Sequence, residues 1–293
     1  MGGVEGNMDQ VEVGIIGGSG LYEMPGLEEK EERILKTPFG EPSDAYVLGR
    51  LEGRCVAFLA RHGRGHNLQP SEVNFRANIY GFKQLGVCQI ISASAVGSLK
   101  LEHEPMDFVL PDQFVDRTRG RQSTFFGEGV VAHISFADPI CSRLSRVLIE
   151  AAGEIKLPIK QGGSYVCLEG PAFSTRAESH LYRSWGMDLV GMTNLQEAKL
   201  SREAEICYVT IAMVSDYDCW HEEEGPVTVE KVIGYLKKNS QNVQQLIKTA
   251  LKSLPPDFEC SCQAALQNAI MTDRNSISEK AKKKLKLIIS KYV

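Results

Sequence analysis

The 293-residue chain has no apolar run approaching the ~20 residues that a bilayer-spanning helix needs, which excludes a helical integral membrane protein. It has little excess charge. Its 33 basic and 37 acidic residues leave a net charge of −4, so no global positive field draws it to nucleic acid or acidic membranes. The first ten residues, MGGVEGNMDQ, lack the basic and apolar regions of a secretory signal. They also lack the Ser or Thr at residue 6 that myristoylation asks for. Eight cysteines show no regular spacing, and most lie in apolar runs (Cys88, Cys167, Cys207), as reduced core thiols of a cytoplasmic protein do. Cys260-x-Cys262 stands apart, either as a surface pair or as a labile disulfide. Internal repeats and low-complexity tracts are missing too.

What the chain does have is 43% hydrophobic residues, enough to bury a sizeable core. Short apolar runs alternate with amphipathic ones, the pattern of an α/β fold. Strands are expected at 11–17, 44–50, 54–60, 88–94, 107–112, 163–169, 188–192 and 205–215. Helices are expected at 71–86, 139–154, 174–185, 196–204, 227–253 and 279–291. Residues 44–60 read as a hairpin turning at Glu52-Gly53, so the sheet is mixed. The expected layout is a flexible N-terminus (1–10), one domain (11–254) and, after the PPD at 255–257, an extension (255–293). That extension carries Lys280, Lys282, Lys283, Lys284, Lys286 and Lys291 around an apolar stripe of Ala281, Leu285, Ile288 and Tyr292. A helix docked through this stripe is favoured over a nucleic-acid or membrane contact. RTRGR (117–121) is a second, smaller basic cluster.

GIIGGSGLYEMPG (14–26) suggests a nucleotide loop but is not a dinucleotide fingerprint. Glu23 stands where the third glycine belongs, and Pro25 stops any long helix that would face a pyrophosphate. A turn remains whose amides and Ser19 hydroxyl either hold a small anion or serve structure alone. In RHGRGH (61–66), glycines at 63 and 65 oppose the helix that a zinc pair of His62 and His66 would need. Arg61, His62, Arg64 and His66 fit an anion better, since an Arg grips phosphate through parallel hydrogen bonds; a solvated basic loop is the alternative. SASAVGSL (92–99) reads as a strand ending in a small-residue turn that lets a ligand approach the backbone. In LEGPAFSTRAES (168–179), Ser174 is placed to cap a helix, and Phe173 either stacks on a flat base or plugs a loop. IAMVSDYDCW (211–220) ends in Asp216-x-Asp218, where strand periodicity puts both carboxylates on one face. One reads as a general acid of raised pKa and the other as its partner; a metal pair and an idle turn pair are the alternatives.

The order of these blocks says more than any one of them. GIIGGSG, TPFGEPSD, LARHGRGH, P-x-x-V-N-F-R-A-N, AVGSL, DQFVDRT, LEGPAFSTRAES, MTNLQE and SDYDCW together resemble the purine nucleoside phosphorylase family, in its methylthioadenosine-cleaving branch, over roughly residues 11–250. The resemblance implies a central mixed, partly barrel-like β-sheet surrounded by helices in a single α/β domain. It implies a pentosyltransferase that cleaves 5′-methylthioadenosine with phosphate to adenine and 5-methylthioribose 1-phosphate; the alternative is a broader enzyme also using adenosine or inosine. Phosphate would be held by Ser19, Arg61, Ser94, Thr193 and the Ala95 amide, with His62 and His66 nearby. Asp216 would serve the purine N7 and Asp218 the 6-amino group. Phe173 would line the base, the Met192 backbone the ribose, and Val229 and Val232 the methylthio group. The family's homotrimer would bring His133 across to a neighbouring pocket. No metal and no organic cofactor are implied, because phosphate is a co-substrate. The chain departs from residues usual in the family at Val96, Asn194 and Gln196, and after about residue 266 its tail departs from the family's ending.

Overall fold

The computed structural model describes residues 11–18, 21, 24–221, 228–255 and 259–293. Eleven strands form one mixed sheet: β1 (Val13–Gly17), β2 (Glu28–Arg33), β3 (Tyr46–Leu51), β4 (Arg54–Ala60), β5 (Gln89–Ser98), β6 (Phe108–Leu110), β7 (Gln113–Arg117), β8 (Ile159–Gln161), β9 (Ser164–Leu168), β10 (Leu189–Gly191) and β11 (Cys207–Asp216). The helices are α1 (Phe75–Gln84), α2 (Ser142–Glu154), α3 (Arg176–Ser184), α4 (Asn194–Glu203), α5 (Val229–Ser253), α6 (Glu279–Lys284) and α7 (Lys286–Ile289). All eight expected strands are present. The three that the sequence reading missed, β2, β7 and β8, are short or largely exposed and carry no apolar alternation.

The expected hairpin is β3–β4, antiparallel with Leu51 opposite Arg54. Its turn residues Glu52 and Gly53 both take positive φ (50° and 78°), as a two-residue hairpin turn requires. The sheet runs β2-β3-β4-β1-β5-β10-β9-β7, and a branch of β11, β6 and β8 leaves it at β5. This branching is what the barrel-like expectation amounts to: the sheet divides without closing.

β5 is the hinge of the architecture. One edge pairs with β11 from Gln89 to Gly97. On its other edge β1 holds Gln89–Ser92 and β10 holds Gly97–Ser98. Between them, Ala93 to Val96 have no strand partner on that edge among the described residues, so the sheet forks there. Ligands of open α/β sheets bind at such points. The segment 93–98 is therefore strand rather than the small-residue turn expected from sequence.

Buried aliphatic and aromatic residues of β1, β4, β5, β11, α1, α2 and α5 form one core, and Leu266, Ile277, Leu285, Ile288 and Ile289 of the tail belong to it. Burial of such side chains stabilises by about 1.5–3 kcal/mol each. The single helix expected at 279–291 is two short ones meeting at Leu285. Ala281, Leu285 and Ile288 point inward as the stripe required, joined by Ile289. Among the described residues no helix is long and apolar enough to cross a membrane.

Candidate active site

The fork in the sheet opens into a cavity of about 900 Å³. Of the residues picked out from sequence, Arg61, His62, His66, Ser94, Ala95, Phe173, Met192, Thr193, Asp216, Asp218, Val229 and Val232 all line it. Ser19 lies outside the described residues; its neighbours Gly18 and Leu21 are in the wall. His133 is exposed and not part of this cavity; its amide donates to the Ala269 carbonyl at 2.8 Å.

At one end of the cavity, Arg61 follows β4 and turns inward, its amide bonded to the Gly17 carbonyl at 3.1 Å. Nε donates to Glu197 at 2.5 Å, Nη2 to the Ser92 hydroxyl at 2.6 Å, and Nη1 to the Ala93 carbonyl at 3.1 Å. Burial alone would favour the neutral guanidine, but the Glu197 carboxylate outweighs it and holds Arg61 above its ordinary range. Glu197 in turn accepts from Ser92 at 2.8 Å and from Tyr208 at 2.7 Å. Asn194 donates to Ser92, Tyr208 and Thr210 and accepts from the Ser94 hydroxyl at 2.6 Å. This network fixes Arg61 and Ser94 at the start of α4, whose N-cap Thr193 stands in the cavity wall without a side-chain bond to its own helix. A helix N-terminus beside a buried guanidinium favours an anion.

His62 stacks on His66 with ring centroids 4.4 Å apart. Its Nδ1 lies 2.8 Å from the Leu68 carbonyl. A carbonyl only accepts, so Nδ1 carries the proton and Nε2 keeps its lone pair. Burial, then the neighbouring Arg61 charge, lowers its pKa to about 4, which leaves the ring neutral near pH 7. Arg64 does not join the site. It lies at the surface, paired with Glu32 at 2.6 Å and Asp44 at 3.2 Å.

At the other end stand the two carboxylates, both buried. β11 bulges at Ser215, where its register on β5 slips between Val214 and Asp216. Asp216 accepts from the Ser215 hydroxyl at 2.6 Å and from the Asp218 amide at 2.8 Å. Asp218 reaches the cavity from a turn with φ of 52°, not by strand periodicity as expected. Burial raises the Asp218 carboxyl above its usual range, so the raised acid expected of the pair is found at 218. Gly97 lies against both: a Cβ there would be 2.9 Å from Asp216 Oδ1 and 3.4 Å from Asp218 Cβ.

The apolar part of the cavity wall includes Phe173, Met192, Val229, Val232 and Ile233. Phe173 is 45% exposed and Val229 62% exposed, an apolar rim around the mouth. The cap of α3 is Thr175 in a capping box with Glu178; Ser174, expected in that place, lines the cavity instead. Of the basic cluster 117–121, the Arg121 side chain is buried and donates to the Met192, Leu168 and Glu169 carbonyls, which ties β9 to the start of α4. It is structural.

Sequence reasoning missed Glu197, Ser92 and Tyr208, and it met Asn194 only as a departure from the family. MTNLQE held a usable signal: Asn194, Gln196 and Glu197 are polar residues at positions where α4 turns toward the core, all at most 1% exposed.

An anion end, an acid pair and an apolar lining in the fork of a mixed α/β sheet define an enzyme pocket for a small molecule carrying a flat polar group beside an anion. A family model described as the phosphorylase superfamily matches residues 12–252, and the chain belongs to that superfamily. It is 60% identical over 283 residues to the S-methyl-5′-thioadenosine phosphorylase of Koribacter versatilis, covering 97% of each chain. The corresponding enzyme of Geobacter sulfurreducens is 54% identical over 98% of this chain and 100% of its own. Among solved structures, a methylthioadenosine phosphorylase from an antarctic soil metagenomic library superposes with a TM-score of 0.90 at 48% identity, covering 96% of this chain and 99% of its own. The Schistosoma mansoni methylthioadenosine phosphorylase in complex with adenine gives 0.84 at 37% identity, covering 91% and 100%. These matches run on past residue 266, so the tail is shared with such relatives rather than peculiar to this chain.

Proposed function

We propose that the chain cleaves 5′-methylthioadenosine with inorganic phosphate, giving adenine and 5-methylthioribose 1-phosphate. The observation that carries this reading is that one cavity runs along β5 from Arg61, bonded to the Ala93 carbonyl beside Ser94, to Asp216 and Asp218 against Gly97, with apolar side chains in its wall. Phosphate fits the first end and the purine the last, so that the anomeric carbon falls between them.

In this reading a phosphate oxygen bonds to the anomeric carbon as the glycosidic bond to N9 breaks, and the bond's electron pair leaves with the purine. Monohydrogen phosphate supplies the proton that adenine finally keeps, so no further reactant is needed. The neutral His62, with Nε2 as an acceptor, suits the phosphate's hydroxyl. Asp216 suits N7, and Asp218 the 6-amino group. The Ser215 hydroxyl has one proton and two acceptors, Asp216 at 2.6 Å and the Val96 carbonyl at 3.2 Å. When it turns to Val96 it can accept from a protonated Asp216, so the site tolerates either state of that acid. Hydrogen bonds aimed at developing charge supply the catalysis.

Val229, Val232 and Ile233 favour a methylthio group over a 5′-hydroxyl, which would lose about 1–3 kcal/mol if left unpaired. A homotrimer, with the apolar rim covered by a neighbour and His133 reaching across, belongs to the same reading, as does a cytoplasmic location suited to eight unpaired cysteines. The broader alternative has one support: the Schistosoma mansoni relative is an adenosine/methylthioadenosine phosphorylase. Product analysis with methylthioadenosine, adenosine and inosine, each with and without phosphate, separates them. Adenine appearing from methylthioadenosine only with phosphate, and fastest, supports the proposal; release without phosphate, or no release, overturns it.

A further inference from the structure

Four cysteines far apart in sequence meet at one point. The sulfurs of Cys141, Cys207, Cys260 and Cys262 all lie within 4.8 Å of one another. Cys141 is the N-cap of α2, Cys207 opens β11, and the C-x-C pair brackets the start of a 3-10 turn in the tail. Three of the four are buried, and Cys260 is half-buried. None lines the cavity. With Cys262 buried and two further thiols beside the pair, this is not the surface pair that the sequence allowed.

We propose that these four thiols form a structural zinc site that clamps the tail to the rest of the chain. A zinc ion bound to four thiolates at ~2.3 Å sets tetrahedral sulfur–sulfur edges of about 3.8 Å. Cys141 and Cys260 already stand 3.6 Å apart, and no pair exceeds the 4.8 Å limit, so closing on an ion needs only small side-chain shifts. An all-sulfur donor set excludes calcium and magnesium and suits a soft or borderline ion. With four protein ligands no position stays open for water or substrate, which makes the role structural rather than catalytic.

The surroundings fit the charge of such a centre. Four thiols release four protons on binding one zinc ion, leaving a net charge of −2. The first turn of the 13-residue α2 stands against it, and the Leu144 amide donates to Cys141 Sγ at 3.5 Å. Amide donors to ligand sulfur and the positive end of a helix both stabilise such charge. Arg143 donates to the Glu259 carbonyl beside the C-x-C pair, so the loop carrying two ligands is held against the helix carrying the third. Two ligands come from helix α2 and strand β11, and two from the tail. A single ion would therefore join segments whose other connections are apolar packing, scattered hydrogen bonds and the ion pairs Lys284–Glu128 and Lys291–Glu205.

The test uses the full chain, purified under anaerobic, reducing conditions from zinc-supplemented medium. Elemental analysis is expected to give about one zinc per chain, and X-ray absorption four sulfurs at ~2.3 Å. An alkylating reagent should then reach the four cluster thiols more slowly before a chelator is added than after it. The Cys260→Ser/Cys262→Ser chain should retain no zinc. Should that variant fail to fold, wild-type chain stripped by chelator and titrated with Zn²⁺ alone should show a rise in melting temperature and slower proteolysis after residue 254. Two results overturn the site. One is no zinc retained after such loading, with alkylation of the four cluster thiols unchanged by the chelator. The other is four thiols missing without metal and restored by dithiothreitol, which would make the cluster a pair of disulfides.

Discussion

Arg61 Nε and Glu197 Oε1 are 2.5 Å apart, and both side chains are only 2% exposed. A buried ion pair gains little over apolar packing, but removing one partner leaves the other charge stranded. The pair sits on the floor of the proposed phosphate end, so it both fixes Arg61 and tunes how much of its charge a second anion meets.

Replacing Glu197 by Gln should accordingly cost about 3–5 kcal/mol of stability, measured by denaturant unfolding. The phosphate KM should change with it, because Arg61 loses the group that orients Nε and Nη2. A loss under about 1 kcal/mol would mean that Ser92 and Ala93 alone hold the guanidinium.

Gly97 tests the acid end without touching either acid. An added methyl would lie 2.9 Å from Asp216 Oδ1 and 3.1 Å from Val190 Cγ1, both fixed by the bulge and by β10. Gly97→Ala should therefore displace Asp216 and lower kcat at least about tenfold, since small misplacements near the chemistry are costly. Overpacking should cost about 1–3 kcal/mol. Gly153→Ala, whose methyl meets open space in α2, is the control and should leave turnover unchanged. Equal rates in both variants would show that Asp216 tolerates being moved.

The same two positions show what could be read from sequence. Asp216 ends a strand of ten buried residues and Asp218 follows two residues on, and a pair of acids closing such a strand stands out in any reading. What did not stand out was the way both come to one place: a bulge at Ser215 and a positive φ at Asp218 follow from the forked sheet, not from local pattern. Likewise β1, β4, β5 and β11 are legible as apolar runs, whereas β2, with the sequence EEKEER, is a strand only because β3 offers it an edge. Arg61 was legible because an Arg beyond a strand end is conspicuous. Its partner Glu197 was not, since a carboxylate on a helix normally faces water, and only the tertiary packing of α4 on β11 buries it.

Glu203 gives a pH dependence with a definite sign. It accepts from the Thr124 hydroxyl and the Phe125 amide, both at 2.7 Å, and burial raises its pKa from an ordinary 4.5 to about 7. Between those values the folded chain keeps a proton that the unfolded chain releases, so this group's contribution to stability is lost as pH rises through the window. His62 acts oppositely, its stability falling as pH drops from 6.5 toward about 4. Glu203→Gln imitates the protonated acid, so the difference between wild type and variant isolates the first effect. Melting temperatures taken from pH 5 to pH 8 should fall in the wild type relative to the variant, with the gap opening as pH rises. Parallel curves would place an ionised Glu203 in the folded chain throughout.

Asp216→Asn tests the base end of the proposed reaction. Asn keeps the shape and can still accept from the Asp218 amide and bond with Ser215, so the fold should be little changed. It cannot pass a proton to N7, although its amide can donate a hydrogen bond. If protonation matters, cleavage of methylthioadenosine should slow by about 10²–10⁴-fold, with kcat rather than KM carrying the loss. If a neutral donor is enough, the loss should be smaller and should reverse for 6-oxopurine nucleosides, whose N7 and O6 an Asn amide can bridge. Comparing methylthioadenosine with inosine in both proteins distinguishes these cases. Undiminished cleavage of methylthioadenosine in the variant would remove Asp216 from the mechanism and leave Asp218, the acid whose pKa burial raises, as the group to examine at N7.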